Sequence, residues 1–138
     1  MTAPVQRDFA NIERLLAAVC APLLGGAQFV GSRTPEDLDQ VEHYLWIVRV
    51  DGARTALYDY PIVDISYLRT DGDERAGQRM ASTVVNHLLS KPAPHPAIDS
   101  IACDPGPREV PWGDSDTVRR WAATLFCQTR QVRLTVLP

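Results

Sequence analysis

The chain has 138 residues, which suits a single domain that buries roughly 68–70% of its unfolded surface. Its 45% hydrophobic content supports a core without staples, and 22% charged with 7% aromatic residues is ordinary for a globular protein. A net charge of -3 supplies no global field for holding nucleic acid or anionic lipid, and no apolar run approaches the length of a membrane span.

Pro4 sits where a first-turn proline is tolerated, and Val5, Phe9, Ile12, Leu16 and Val19 then recur at helical spacing. Arg7, Asn11, Glu13 and Arg14 cover the other side, and Pro22 with Gly25-Gly26 ends the helix. A stripe of this kind covers the protein's own sheet. From Gln28 to Glu42 the chain is polar and acidic, with Glu36, Asp37, Asp39 and Glu42 following Thr34-Pro35. It reads as a solvated loop with one helical turn capped by Thr34. It lacks the ligand spacing and the glycine of a calcium loop.

His43 to Val50 alternates Tyr44, Trp46, Val48 and Val50 against Leu45, Ile47 and Arg49. Both faces are fairly apolar, which predicts a central strand. Asp51-Gly52 is a turn signal and predicts an antiparallel return through Thr55-Ala56-Leu57. The next strand is clearest from Val63, where Val63, Ile65 and Tyr67 share one face and Asp64 and Ser66 the other. It is expected to be buried on one side only. Pro61 cannot donate a ladder bond and is placed at the strand's entrance.

Thr70 to Glu74 forms a turn that caps a helix with acidic residues at its positive end. Its buried stripe is Ala76, Met80, Val84 and Leu88, joined by Gly77, Ala81 and Val85, and its small residues permit a close approach to the sheet. Lys91-Pro92 ends it, and Lys91 to Pro96 is a stiff connector. Ile98 to Cys103 is a short strand broken by Asp104-Pro105-Gly106-Pro107. The strand, helix, strand order places this strand parallel to the one containing Val63. The last element, Val118 to Arg130, sets Trp121, Ala123, Leu125 and Cys127 against Arg120, Ala122, Thr124, Phe126, Gln128 and Arg130, and needs an antiparallel neighbour.

Cys20, Cys103 and Cys127 are odd in number and widely spaced, so they read as reduced, mostly buried small hydrophobes of a chain folding in the cytoplasm. The start lacks the basic and apolar run of a signal peptide. His43, His87 and His95 lie on different elements, with no spacing that joins them to a nucleophile. No glycine-rich phosphate loop precedes a helix, and no cofactor or metal is expected. Asp59, before Pro61, and Asp64 flank the start of a strand and invite comparison with a metal-dependent nuclease. Such sites need a third acid and usually a lysine nearby, and Lys91 is the only lysine. Trp112, in a loop between Pro111 and Gly113, suits either a place under the sheet's edge or an interface anchor.

Taken together, the leading helix, Asp51-Gly52, the Asp59-Tyr-Pro-Ile-Val-Asp-Ile strand, the helix from Asp73, the Gly106-Pro-Arg-Glu-Val-Pro-Trp loop and the terminal Val118-Arg-Arg-Trp-Ala-Ala-Thr strand resemble tail terminator proteins of long-tailed, siphovirus-type bacteriophages. The resemblance spans most of the chain, with no counterpart for Gln28 to Glu42. It implies a non-enzymatic virion protein that forms a ring, usually of six subunits, at the neck. That ring caps the tail tube and joins it to the head-completion or connector protein, after assembly in the host cytoplasm. Another neck or head-tail connector protein is the nearest alternative, and a small nuclease using Asp59 and Asp64 is the alternative from a different class. The expected fold is α+β, a mixed, mostly antiparallel four-stranded sheet with two helices on one face. The expected partners are further copies of the chain, the tube protein and the connector, with neither membrane nor sequence-specific nucleic acid. Interface candidates are Trp112, Asp114, Arg119, Arg120, Phe126 and Arg130.

Overall fold

A computed structural model of the chain describes residues 5–113 and 117–138. The elements in order are β1 (Arg7–Asp8), α1 (Ile12–Leu24), β2 (Val30–Gly31), β3 (His43–Arg54), β4 (Tyr58–Arg69), α2 (Glu74–Leu88), β5 (Ile98–Cys103), β6 (Arg108–Val110), β7 (Arg119–Arg130) and β8 (Val132–Arg133). The main sheet runs β2-β3-β4-β7-β5, with β6 also on β7, and only the short β2–β3 pair is parallel. The fold is therefore α+β with a mixed, mostly antiparallel sheet. The sheet has six strands rather than the four expected, because two short strands carry no alternating pattern long enough to read.

One of these is β2, two residues of the acidic segment paired with Leu45 and Trp46. The other is β6, which continues the same edge as β5. Cys103 faces Leu125 and Arg108 faces Ala122 on β7, with Asp104 to Pro107 bulging between them. Backbone bonds from Asp104 N–H to Thr124 O (3.0 Å) and from Thr124 N–H to Pro105 O (3.3 Å) hold the bulge against β7. Strands β4 and β5 do run in the same direction, as the crossover argument requires, but β7 lies between them. Strand β3 is not central, since only β2 lies beyond it.

Both helices pack on one face. Leu45 and Ile47 of β3, Val63, Ile65 and Tyr67 of β4, and Trp121, Ala123, Leu125 and Cys127 of β7 meet Leu15, Leu16 and Cys20 of α1 and Ala81, Val84 and Leu88 of α2 in one cluster. Helix α1 starts eight residues later than Pro4. Asn11 caps it by accepting from Arg14 N–H at 3.0 Å, and Val5 is exposed in the segment before it. A polar side chain able to satisfy the first free amides outweighs a proline that merely fits the first turn. Pro22 lies inside the last turn, and Gly25 closes the helix in the left-handed region. Asp73 caps α2, accepting from Ala76 N–H at 3.0 Å. Gly77 lets α2 approach so closely that any Cβ there would strike the Trp121 ring.

The β3–β4 hairpin turns at Thr55–Tyr58, where Thr55 N–H donates to Tyr58 O at 2.7 Å and Thr55 Oγ1 accepts from Tyr58 N–H at 3.0 Å. Asp51-Gly52 is not the turn. The register shifts between Arg49 and Asp51, a bulge, and Gly52 follows at φ 122°, where a Cβ would meet the backbone of Tyr60 and Pro61. Positive φ serves a bulge as well as a turn, which is why the dipeptide misleads. Pro61 lies inside β4, not before it. It faces Gly52 on β3, while the β4–β7 ladder skips Tyr60 and Pro61 and resumes in the same register at Ile62 and Phe126. The missing N–H thus costs one rung and no displacement.

Candidate interaction surface

The face of the sheet turned away from the helices divides along its length. At one end, register sets Tyr44, Leu68 and Arg120 in one row and Trp46, Ser66 and Ala122 in the next. These rows are covered from two directions. Tyr44 O–H donates to Arg33 O (2.7 Å) and Trp46 Nε1–H to Ser32 O (3.0 Å), which ties the segment after β2 across the end of β3. From the other edge Trp112 packs edge-to-face on Trp46, ring centroids 6.0 Å apart, and the Arg120 guanidinium lies 5.7 Å from the Trp112 centroid. Arg120 Nε–H also donates to Ser66 Oγ at 3.0 Å. Leu68 and Ser66 are consequently buried although they lie on the face expected to be open.

The other end is bare. Ile62, Phe126 and Ala102 stand directly across from one another on β4, β7 and β5, with Tyr60 beside them. Phe126 is 45% and Tyr60 39% exposed. Ile62, Phe126 and Tyr60, with Gly52, Pro61, Ser100 and Gln128, line an open recess of about 410 Å³. The hairpin tip, residues 50–57, is exposed throughout, with Val50 at 52% and Leu57 at 73%.

Of the interface candidates, Arg120, Phe126 and Arg130 lie on this face and Trp112 packs onto it. Arg130 is paired with Asp99 at 2.7 Å, and Arg119 with Glu109 at 2.9 Å and Glu74 at 3.4 Å. Asp114 lies outside the described residues. Ile62 and Tyr60 belong to the bare surface and were not singled out by sequence. The signal was available in the even-numbered apolar positions of β4 once Pro61 is allowed inside the strand.

Asp59 and Asp64 are not brought together. Asp64 is on the outer face, accepting from Thr124 Oγ1–H at 2.9 Å. Asp59 is 0% exposed on the inner side, gripped by Arg49 through two bonds (2.8 and 3.0 Å) and by Arg54 at 3.1 Å. Burial alone would raise the Asp59 carboxyl, but the two guanidiniums outweigh it and hold the group below its usual value. A carboxylate held in this way secures the hairpin and has no free lone pair facing solvent for a metal.

The histidines are equally scattered. His43 is buried, its Nε2–H donating to Leu24 O (2.8 Å) and its Nδ1 accepting from Tyr67 O–H (2.7 Å), while Arg69 donates to the same phenol at 3.1 Å. This chain of bonds joins the end of α1 to β3 and β4. His95 Nδ1 accepts from Ala97 N–H at 3.0 Å in the connector. Burial pushes the Cys20 and Cys127 thiols up to about 12, the state of inert packed side chains. Among the described residues no three His, Cys, Asp or Glu side chains gather as metal ligands, and no helix is long and apolar enough to cross a membrane. Comparison of the chain with protein-family models and with curated proteins finds no significant match.

Proposed function

We propose that this chain is a virion assembly subunit without catalytic activity, similar to the tail terminators of long-tailed bacteriophages. In this reading it associates head to tail into a ring of six at the neck, against the tail tube on one side and the head connector on the other. The observation that supports the reading is the bare Ile62–Phe126–Ala102 row beside an exposed hairpin. A free-standing subunit gains nothing from leaving an aromatic and an isoleucine together on an open sheet face, and contiguous apolar surface of this kind marks contact sites. The arrangement of Asp59 and Asp64 on opposite faces weighs against the nuclease alternative, because in-line metal chemistry needs converging carboxylates.

The test is light scattering with negative-stain electron microscopy of the purified protein over rising concentration, alone and with tail-tube polymers. Closed rings, or density capping tube ends, are expected. A protein that stays strictly monomeric alone and leaves tube ends bare overturns the proposal.

A further inference from the structure

The acidic segment between α1 and β3 is left without a task by the reading above. Glu36, Asp37, Asp39 and Glu42 are all exposed, and none makes a side-chain ion pair or hydrogen bond among the described residues. The segment from Gln28 to Glu42 holds these four carboxylates against one arginine, a surplus of three, equal to the net charge of the entire chain. The rest of the chain therefore balances to zero, and this segment alone accounts for the net charge of the protein.

A cationic recess lies toward the opposite edge. Strands β4, β7 and β6 line a pocket of about 300 Å³ on the outer face that includes Arg108, Arg120, Ser66, Thr124 and Asp64. Arg120 is held in place by Ser66 and by the Trp112 ring, and neither bond neutralises it. Arg108 is exposed and makes no side-chain ion pair or hydrogen bond among the described residues. Among the described residues lining the pocket Asp64 is the one carboxylate, and its Oδ1 accepts from Thr124. Two arginines, one of them pre-set, beside the Ser66 hydroxyl suit an incoming carboxylate, since a positioned guanidinium loses little freedom on binding one.

We infer that this pocket receives the acidic loop, residues 36–42, of a second copy of the chain. The two surfaces are different and complementary in sign, the loop following the edge strand β2 and the pocket spanning β4, β7 and β6, as a head-to-tail contact requires and a two-fold contact does not. The inference rests on the head-to-tail association proposed above and adds which surfaces meet. Complementary charge of this kind fixes register and speeds encounter.

The experiment uses the full-length protein, with self-association read by sedimentation and folding by thermal unfolding. Arg108→Glu and Asp37→Lys/Asp39→Lys should each unfold at the wild-type temperature, since every altered side chain is exposed. Each should raise the apparent dissociation constant on the order of tenfold or more. Mixing the two variants should restore association, because one interface in such a pair again carries opposite charges. Raising salt from about 0.15 M to about 1 M, where the screening length drops from roughly 8 Å to roughly 3 Å, should weaken the wild type in the same direction. Association that is unaffected by charge reversal and salt overturns the inference while leaving the ring reading intact. Charge-dependent association into open chains that never close upholds the inference and overturns the ring. A wild type that does not self-associate at any concentration overturns the inference, as does Arg108-dependent binding to duplex DNA with self-association unchanged.

Discussion

The two faces of the β4–β7 pair follow different rules. On the inner face, Val63, Ile65 and Tyr67 oppose Leu125, Ala123 and Trp121, and every one of them is buried beneath two helices. On the outer face the same register runs from buried Leu68 and Ser66 at one end to half-exposed Phe126 at the other. The inner face is uniform because it meets regular elements whose apolar stripes repeat along its length. The outer face is uneven because it is covered by whatever loops reach it, Ser32–Arg33 from one edge and Trp112 from the other. Stability is concentrated on the first face, and the part of the second that no described residue covers is the surface to which the proposed self-association is assigned.

The sharpest way to break this contrast is at Trp121. Its ring is buried against Gly77 and lies 6.1 Å from Tyr67, so Trp121→Ala should cost roughly 3–5 kcal/mol by urea unfolding. A loss below about 1 kcal/mol would mean that the inner face is not the stabilising one.

Next in size is Asp59→Asn, which leaves Arg49 and Arg54 facing a neutral amide. The arginine side chains remain 29% and 49% exposed, so the cost should be about 1–3 kcal/mol, lower than for a fully enclosed pair. Its pH dependence is diagnostic. A carboxyl whose folded pKa is depressed contributes fully above its unfolded value near 3.9 and loses that contribution as pH falls through the lower folded value. Wild type and variant should therefore converge in stability in strong acid, separate as pH rises through the folded value toward about pH 4, and keep a constant gap above it. Parallel curves at all pH values would remove Asp59 from the account of the hairpin.

The same contrast explains what could be read in advance. Alternation is a statement about one strand and its own two sides, so Val63-Asp64-Ile65-Ser66-Tyr67 and Trp121 to Cys127 disclosed their inner faces directly. Helical spacing did the same for Ala81 to Leu88 and for Ile12 and Leu16, but the stripe it drew from Val5 to Val19 began before the helix and missed Leu15 and Cys20. What alternation cannot report is a contact supplied by a distant segment. Leu68 is buried in the row where Tyr44 is tied to Arg33 and Arg120 lies against Trp112, segments many residues away in either direction, and nothing in its own neighbourhood says so. Strands β2 and β6 were hidden for the same reason, since two or three residues take their extended form from the ladder beside them. Asp51-Gly52 and Pro61 misled for a different reason. Each has a local preference, and the pairing found a second conformation that satisfies it.

Trp112 tests the boundary between the two rules. Sequence offers it as an interface anchor, and the fold packs it on Trp46 with Arg120 over its face. An edge-to-face pair and a partly solvated cation–π contact are each worth about 0.5–1.5 kcal/mol, so Trp112→Ala should cost about 1–2 kcal/mol. That places it between Trp121 and a surface residue. It should also free the Arg120 guanidinium to move, weakening self-association. A cost matching that of Trp121→Ala would make the covered end of the outer face a second core rather than a platform.

Phe126 should show the smallest effect on stability and the clearest separation of the two faces. Its neighbours Ile62 and Ala102 lie across the ladder, and much of the ring's surface already meets water in the subunit. Phe126→Ser removes an apolar group that is only half sheltered and leaves the backbone pairing of β7 untouched, so the free subunit should change by no more than about 0.5 kcal/mol. If Ile62, Phe126 and Tyr60 form the centre of a subunit contact, the same substitution replaces an anchor with a small polar group where water must be excluded. It should then weaken association on the order of tenfold or more, an effect of about 1.4 kcal/mol or greater. The two measurements, unfolding of the dilute monomer and sedimentation at high concentration, should therefore disagree in size for Phe126 and in no comparable way for Trp121. Should Phe126→Ser instead destabilise the monomer as much as it weakens association, the ring is packing within its own subunit, and the bare end of the sheet is not a recognition surface.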